Sequence, residues 1–402
     1  MRVGRVTIRN RWLCVALFLI CLGALICVRY WPRAPLSSRI ASSVAIFDAH
    51  GELLRLTTAR DQQYRAWTSL ADISPQLVDA LLLHEDQYFY RHFGVNPFAL
   101  LRAATTTFLG GTRQGGSTLT MQLARELYQL NTRTLRGKCS QIVLAIGLEL
   151  RYSKRDILEA HLNLMPYGGN LQGVGTASLV YFGKNADRLS LGETLTLVVI
   201  PQAPLHRDPK AAESENLRAA RERLFARWVK THPDAKRDVE LMSSPLRYAS
   251  LDKLPFIAPH FTALLLDRDQ SRPRHAIQTT LDLPLQRLSE RILSGFVREQ
   301  SRIGIQNAAL LLVDHRDMSV RAMVGSADFY SYDISGQVNG ALAKRSPGSA
   351  LKPFIYALAI DQGLIHPLTM LKDAPANFGG FSPENFDGRF VGPLTATDAL
   401  TR

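Results

Sequence analysis

The sequence predicts a multidomain chain with an N-terminal transmembrane helix, a mainly α-helical domain, and then an α/β part. Three observations support this prediction. The chain has 402 residues, which is long enough for two or three domains. Residues 12–28 are apolar and uncharged, and residues 74–230 have helical periodicity. From Ile277 onward, the segments IQTTL, AALLLVD and SVRAMVG indicate strands.

The apolar run at residues 12–28 is at the short end of the roughly 17–25 residues that cross a bilayer. Four arginines and no acidic residue precede it, which predicts a cytoplasmic N-terminus and an exported remainder. A cleavable signal peptide is the alternative, but no small-x-small cleavage site follows the run. We therefore assign residues 1–40 to a cytoplasmic tail, a single transmembrane anchor and a stalk.

Composition narrows the class of protein. The chain is 46% hydrophobic and 21% charged, as in ordinary globular domains. Its net charge of +13 favours anionic partners, such as acidic lipid or phosphate groups. Zinc-finger spacing and ribonucleoprotein motifs are absent, which argues against a nucleic-acid partner. Three of the four cysteines lie in the apolar run, so the globular part has no disulfide framework.

We predict a first domain at residues 41–230, a linker region at 231–275 and a second domain at 276–402. Residues 44–68 are expected to form short strands around a His-Gly turn at 50–51. Ser74 and Pro75 are typical of a helix start, and residues 210–230 of a charged amphipathic helix. Ser153 with Asp156, and Ser190 with Glu193, indicate capping boxes, and the last of these helices should end before Pro201.

The helix that starts at Pro75 should carry a functional carboxylate. Leu77, Leu81 and Glu85 are spaced four residues apart and therefore share one helix face. A carboxylate at the end of an apolar stripe is partly desolvated, and desolvation makes a carboxylate a better proton acceptor near neutral pH. Glu85 is thus a candidate general base.

A second helix should begin after the Gly-Gly pair at 115–116, with Ser117 as its cap. Thr118, Gln122 and Arg125 would form a polar face, and three leucines at 119, 123 and 127 a core stripe on the other side. A helix N-terminus with free amides is a natural site for phosphate oxygens.

These two segments resemble signatures of glycosyltransferase family 51, the lipid II polymerases. Residues 85–94 match E-D-x-x-F-x-x-H-x-G at every fixed position, and residues 115–122 resemble G-G-S-T-[IL]-T-Q-Q. The resemblance implies a lysozyme-like helical domain in which Glu85 is the catalytic base. It also implies substrate-binding roles for Asp86, Phe89 and His92 in the first motif, and for Ser117, Thr118, Gln122 and Arg125 in the second.

Other family motifs are present with departures. Residues 137–141 resemble R-K-x-x-E, which implies substrate-binding roles for Lys138, which is retained, and for Gln141, which stands in place of glutamate. Met121 stands where the family has glutamine, and both departures are features of the penicillin-binding protein 1C-like branch. Residues 157–163 resemble I-L-E-x-Y-L-N, which implies a substrate-binding role for Asn163 and puts His161 in place of tyrosine.

The resemblance implies that two lipid-linked saccharides are joined at the membrane. Glu85 would take the acceptor's proton, while Lys138 and Arg125 stabilise the lipid pyrophosphate that leaves. The partners would be lipid II, the nascent glycan strand, the membrane and other cell-wall synthesis proteins. Asp86 could orient a cation, so Mg²⁺ or Mn²⁺ is a possible cofactor, although no metal ligand set is assigned. The location would be the inner membrane, with the catalytic domains in the periplasm.

The rest of the chain resembles the start of a penicillin-binding transpeptidase, as in class A bifunctional penicillin-binding proteins. Residues 346–354 resemble the S-x-x-K nucleophile motif in its P-G-S-x-x-K-P setting, with Ser349 as nucleophile and Lys352 as a buried base. The S-x-N and K-T-G motifs are missing. We therefore expect an incomplete mixed sheet with helices, and no transpeptidation by this chain.

Two alternatives stay open at this stage. A lysozyme-like hydrolase would share a helical domain and an essential glutamate, but would yield shorter glycans instead of longer ones. A catalytically degraded protein that only binds lipid II or acts as a scaffold would explain Met121 and Gln141.

Overall fold

The structure is a computed structural model. It describes residues 32–108, 116–207, 214–239, 254–268, 275–385 and 387–402, together with a few isolated positions. The predicted anchor at residues 12–28 lies outside these continuous ranges. Within the part that is described, no helix is both long enough and apolar enough to span a bilayer.

The chain forms two compact units, residues 1–341 and residues 342–402. In the first unit the helices are α1 (Pro75–Glu85), α2 (Pro97–Phe108), α3 (Leu119–Leu127), α4 (Leu135–Arg151), α5 (Lys154–Leu164), α6 (Val174–Phe182), α7 (Leu191–Val199), α8 (Glu215–Thr231), α9 (Pro259–Arg268) and α10 (Leu283–Gln300). Its strands are β1 (Ala45–Phe47), β2 (Leu53–Leu56), β3 (Pro166–Gly168), β4 (Leu171–Gln172), β5 (Ala276–Gln278), β6 (Leu310–Asp314) and β7 (Ser319–Val324).

Local signals fix most helix starts. Both predicted capping boxes are confirmed. The Ser153 and Ser190 hydroxyls accept hydrogen bonds from the backbone amides of Asp156 and Glu193. In return, the Asp156 and Glu193 carboxylates accept hydrogen bonds from the backbone amides of the two serines. Ser74 precedes α1 as predicted, but its side chain makes no capping hydrogen bond. The predicted helix end before Pro201 is confirmed, since α7 ends at Val199 and a 3₁₀ turn follows.

The main core is a layer of helices around α7. The last three residues of α7, 197–199, and Ile200 in the turn that follows are at most 1% exposed. A helix that buries residues on most of its sides must be enclosed, and α1, α6 and α8 pack around it. The amphipathic α8 contributes Leu217, Leu224 and Trp228 to this core. Most of its charged residues are in solvent, but Arg221 is fully buried.

A small sheet joins distant parts of the first unit. Strands β1 and β2, on either side of the predicted turn at 50–51, pair as an antiparallel hairpin, and β5 pairs with β1 in parallel. Residues 64–67, at the end of the segment predicted to form short strands, make only isolated bridges. The region predicted as a linker contains α9, whose Phe261 packs with Ile46 and Leu54 in a second apolar cluster. The domain boundaries themselves stay a prediction.

The strands predicted after Ile277 are confirmed as β5, β6 and β7, and β6 pairs with β7 as an antiparallel hairpin. The second unit contains α11 (Lys352–Asp361), the paired strands β8 (Met370–Asp373) and β9 (Gly392–Thr395), and α12 (Ala396–Thr401). Helix α11 has no buried residue, so this unit has little apolar core of its own.

Asn163 connects α5 to the segment before α1, and we expect its removal to destabilise the fold. Its side chain is completely buried, accepts from the Thr68 amide at 2.8 Å and donates to the Thr68 carbonyl at 2.8 Å. Asn163→Ala leaves both backbone groups unpaired, which should lower the free energy of unfolding by about 2–4 kcal/mol. Urea unfolding of the full chain in detergent measures this change.

The exposed Asn185 provides a matched control, because Asn185→Ala should change stability by less than about 0.5 kcal/mol. Equal stability of the two variants would contradict the structural role of Asn163.

Candidate active site

A cleft of about 420 Å³ opens between α1, α3, α5 and the 3₁₀ turn after α7. Four of the predicted site residues line it, namely Glu85, Ser117, Gln122 and Arg125. The sequence analysis did not predict four other polar residues of its wall, which are His84, Glu126, His161 and Gln202.

Glu85 is the last residue of α1, and its carboxylate lies in the cleft wall. The stripe that predicts its position is confirmed, since Leu77 and Leu81 are 1% and 0% exposed. Two side-chain amides hold the carboxylate: Gln122 Nε2 donates to Oε2 at 3.0 Å, and Gln202 Nε2 donates to Oε1 at 2.8 Å. Both carboxylate oxygens are thus oriented by neutral amide donors, and His84 Nε2 lies 3.8 Å from Oε1.

Asp86 points away from the cleft, into the protein. Both carboxylate oxygens lie 3.0 Å from His92 Nε2, and Oδ2 also accepts from the backbone amide of Leu119 at 3.0 Å. The carboxylate therefore lies at the N-terminus of α3, where a negative charge is favourable. These contacts hold Asp86 inside the protein, and its role in binding substrate or orienting a cation stays a prediction.

Three further predicted binding residues are interior. Phe89 is fully buried, with Lys154 Nζ 4.3 Å from its ring centroid. His92 packs edge-on against this ring at 6.3 Å and is held by Asp86. Asn163 is used for backbone hydrogen bonds. These side chains shape the wall behind the cleft instead of facing a ligand, because each is enclosed by apolar neighbours or committed to an internal bond.

The helix cap after the Gly-Gly pair is one residue later than predicted. Thr118, not Ser117, is the N-cap of α3: its Oγ1 accepts from the Met121 amide at 3.2 Å and donates to the Gly94 carbonyl at 2.6 Å. Thr118 is therefore buried and does not face the cleft. Ser117 does not cap the helix, and its hydroxyl instead accepts a hydrogen bond from Lys138 Nζ at 2.7 Å.

The cationic side of the site is built by Lys138 and Arg125. Lys138 Nζ bonds to Ser117 Oγ and, at 2.8 Å, to Gln141 Oε1. Burial lowers the pKa of Lys138, and the nearby positive charge of Arg125 lowers it further. Arg125 is partly exposed and pairs with the adjacent Glu126 at 2.9 Å. Two cations close together create a local field that suits a doubly charged anion.

His161 lies at the cleft wall with its side chain almost fully enclosed. Burial lowers the pKa of His161 to about 4. Within the described part of the chain, its Nε2 has no hydrogen-bond partner. The ring is therefore neutral at physiological pH and adds no charge to the cleft.

The described residues around the cleft are not arranged as a site for Mg²⁺ or Mn²⁺. The Asp86 carboxylate is occupied, and the Glu85 carboxylate accepts from two amides. Among the residues that the structure describes, no group of three His, Cys, Asp or Glu side chains is placed to hold an ion. We therefore derive no step through a divalent metal.

The second predicted constellation, in the second unit, is not assembled into a site. Ser349 lies in a 3₁₀ turn (Gly348–Leu351) and Lys352 begins α11, so the two are close in sequence. Both side chains are exposed, which differs from the buried lysine that was expected. The turn and the helix that carry these two residues have no buried residue.

Comparisons with known proteins place these features in one family. Residues 50–229 match the transglycosylase family model, and residues 308–402 match the penicillin-binding protein transpeptidase domain. Over 406 residues the chain is 38% identical to penicillin-binding protein 1C of Escherichia coli, covering 98% of this chain and 51% of that protein. The chain belongs to the class A penicillin-binding proteins.

Two further relatives share less of their sequence with this chain. Penicillin-binding protein 2D of Bacillus subtilis is 31% identical over 388 residues, covering 90% of this chain and 54% of that protein. The crystal structure of penicillin-binding protein 1A from Haemophilus influenzae gives a TM-score of 0.37 at 17% identity, with 89% of this chain and 58% of that chain covered. That score is too low to support a comparison of the folds. The chain spans about half the length of the penicillin-binding proteins that it matches.

The buried His161 should make stability depend on pH. Because its pKa is lowered to about 4, the unfolded chain binds a proton there at a pH where the folded chain does not. The free energy of unfolding should therefore fall as the pH drops from about 6.5 to about 4, by on the order of 3 kcal/mol from this residue. His161→Gln should remove that part of the slope, which urea unfolding at several pH values would measure.

The exposed His50 is the matched control, and His50→Gln should leave the slope unchanged. If His161→Gln has the same pH dependence as the parent, burial of the neutral ring is not what sets this slope.

Proposed function

We propose that the first unit is a peptidoglycan glycosyltransferase that polymerises lipid II and releases undecaprenyl pyrophosphate. The observation that carries this proposal is the cleft itself, where an oriented carboxylate, Glu85, shares one wall with the cation Arg125. A second cation, Lys138, adjoins this wall through its bond to Ser117. A base and paired cations are what a reaction needs when it deprotonates a hydroxyl and expels a pyrophosphate.

In the proposed reaction, Glu85 accepts the proton of the acceptor's sugar hydroxyl as that oxygen attacks the donor's anomeric carbon. A new carbon–oxygen bond forms, and the bond from the anomeric carbon to the pyrophosphate oxygen breaks. The electron pair of that bond leaves with the lipid pyrophosphate, whose charge Lys138 and Arg125 stabilise. Gln122 and Gln202 hold the carboxylate in place for this transfer.

The proposed substrate also has consequences for where the protein is located and for the partners it binds. A polyprenyl-linked donor stays in the bilayer, so we propose a single-pass anchor in the inner membrane with the catalytic units in the periplasm. The nascent glycan strand and other cell-wall synthesis proteins are the proposed partners. A net charge of +13 is consistent with attachment to an anionic membrane surface.

Glu85→Gln should abolish polymerisation, because an amide cannot accept the hydroxyl proton. General-base catalysis typically contributes about 10²–10⁴-fold, so we expect a loss of at least that size. The measurement is gel separation of the products from labelled lipid II, with the full chain in detergent and moenomycin as inhibitor control.

Glu222→Gln, on the exposed side of α8, removes the same kind of charge outside the cleft and should polymerise normally. If neither the parent nor the Glu222 variant makes polymer while lipid II still binds, the chain is a binding protein without turnover. Shortened glycan from preformed strands would instead indicate a hydrolase.

The second unit leads to a separate expectation for β-lactams. Ser349 and Lys352 are exposed, and without a desolvated lysine the serine hydroxyl has no strong base. We expect this 402-residue chain to show no stable labelling of Ser349 by a fluorescent penicillin. Labelling that disappears in Ser349→Ala would contradict that expectation.

A further inference from the structure

The side chain of Gln141 is buried between two polar neighbours, one of which needs a hydrogen-bond donor and the other a hydrogen-bond acceptor. It is 1% exposed. Its Nε2 donates to the backbone carbonyl of Met121 at 2.6 Å, and its Oε1 accepts from Lys138 Nζ at 2.8 Å. A carbonyl can only accept and an ammonium can only donate, so the two neighbours fix the orientation of the amide.

Few residue types satisfy both neighbours. An ionised glutamate would accept from Lys138, but would place a second acceptor against the Met121 carbonyl without a proton between them. Methionine, which has a similar length, would leave both neighbours without a bond. Glutamine meets both demands and adds no charge.

Because Gln141 is uncharged, it does not neutralise the ammonium of Lys138. This ammonium has three donors, and the two hydrogen bonds described above go to Ser117 and Gln141. Both partners are neutral, so the ammonium is held at two points and its positive charge is not cancelled by either. Ser117 lines the cleft, so this arrangement presents the charge to whatever anion binds there.

We propose that Gln141 is a positioning residue, which holds the Lys138 ammonium beside the cleft while leaving its charge available to the donor's pyrophosphate. This inference rests on the proposed glycosyltransferase function. It differs from the view that Gln141 marks a degraded site, because that view predicts that a carboxylate at position 141 would improve the enzyme.

The test compares the parent full chain with Gln141→Glu and Gln141→Met. Two quantities are measured in detergent: the Kd for inorganic pyrophosphate, and kcat and KM with labelled lipid II. In Gln141→Glu the new carboxylate pairs with Lys138, so pyrophosphate should bind about tenfold more weakly and kcat should fall. In Gln141→Met the charge remains but is no longer held, so pyrophosphate affinity should stay within about threefold while kcat falls.

Gln306→Glu adds the same charge at an exposed position outside the transglycosylase match and should behave as the parent does. Thermal unfolding of each variant separates misfolding from loss of function, and the neutral Gln141→Met variant keeps the test valid if a buried carboxylate unfolds the chain. A Gln141→Glu variant that binds pyrophosphate and polymerises as well as the parent would overturn the inference. So would a parent chain that binds no pyrophosphate.

The two proposals fail in different ways. If the parent binds pyrophosphate with the expected dependence on position 141 but makes no polymer, the glycosyltransferase proposal fails and the role of Gln141 in holding Lys138 stands. If the parent polymerises and both Gln141 variants match it in kcat and affinity, only the inference about Gln141 fails.

Discussion

The Asp86 carboxylate is the contact on which the rest of the site depends. It receives the His92 ring on one side and the first backbone amide of α3 on the other, and so joins segments 33 residues apart. Because Asp86 follows Glu85 directly, fixing one carboxylate inside the protein turns the preceding one outward to the cleft. The two adjacent acids therefore differ in role. The buried Asp86 carboxylate holds protein segments together, whereas the Glu85 carboxylate is accessible from the cleft.

An ion pair between the partly buried Lys154 and the buried Glu149 supports the same wall. Lys154 donates to Glu149 at 2.7 Å and to the His92 carbonyl at 2.8 Å, while Glu149 accepts from Thr120 Oγ1 at 2.7 Å. The ring of His92 is held by Asp86 and its backbone by Lys154, so the segment between α1 and α2 is anchored at His92 by two contacts. Such a pair is costly to bury, but each of its members has further hydrogen bonds that offset the cost.

Much of this fold could be predicted from local sequence, and the site only in part. The capping boxes and the apolar stripe that ends at Glu85 depend on residues three or four positions apart, so both can be recognised in the sequence. Which of Ser117 and Thr118 caps α3 depends on where Lys138 reaches, and the Gln202 amide meets Glu85 across 117 residues. Asp86, Phe89 and Asn163 lie in the interior because of contacts with residues that are distant in the sequence, and a local pattern cannot predict such contacts. A motif therefore identified the right region, while tertiary contacts decided which of its side chains face the cleft.

The pairing of β5 with β1 has a consequence for how the chain folds. These strands are about 230 residues apart, yet they lie side by side in register, Ala45 opposite Ala276. Closing so long a loop is entropically slow, so the helices between them should form and pack before this parallel contact is made. Until then β1 has an open edge on that side, and open edges recruit strands from other molecules. During synthesis, we expect the chain to be most prone to aggregation in the interval between these two events.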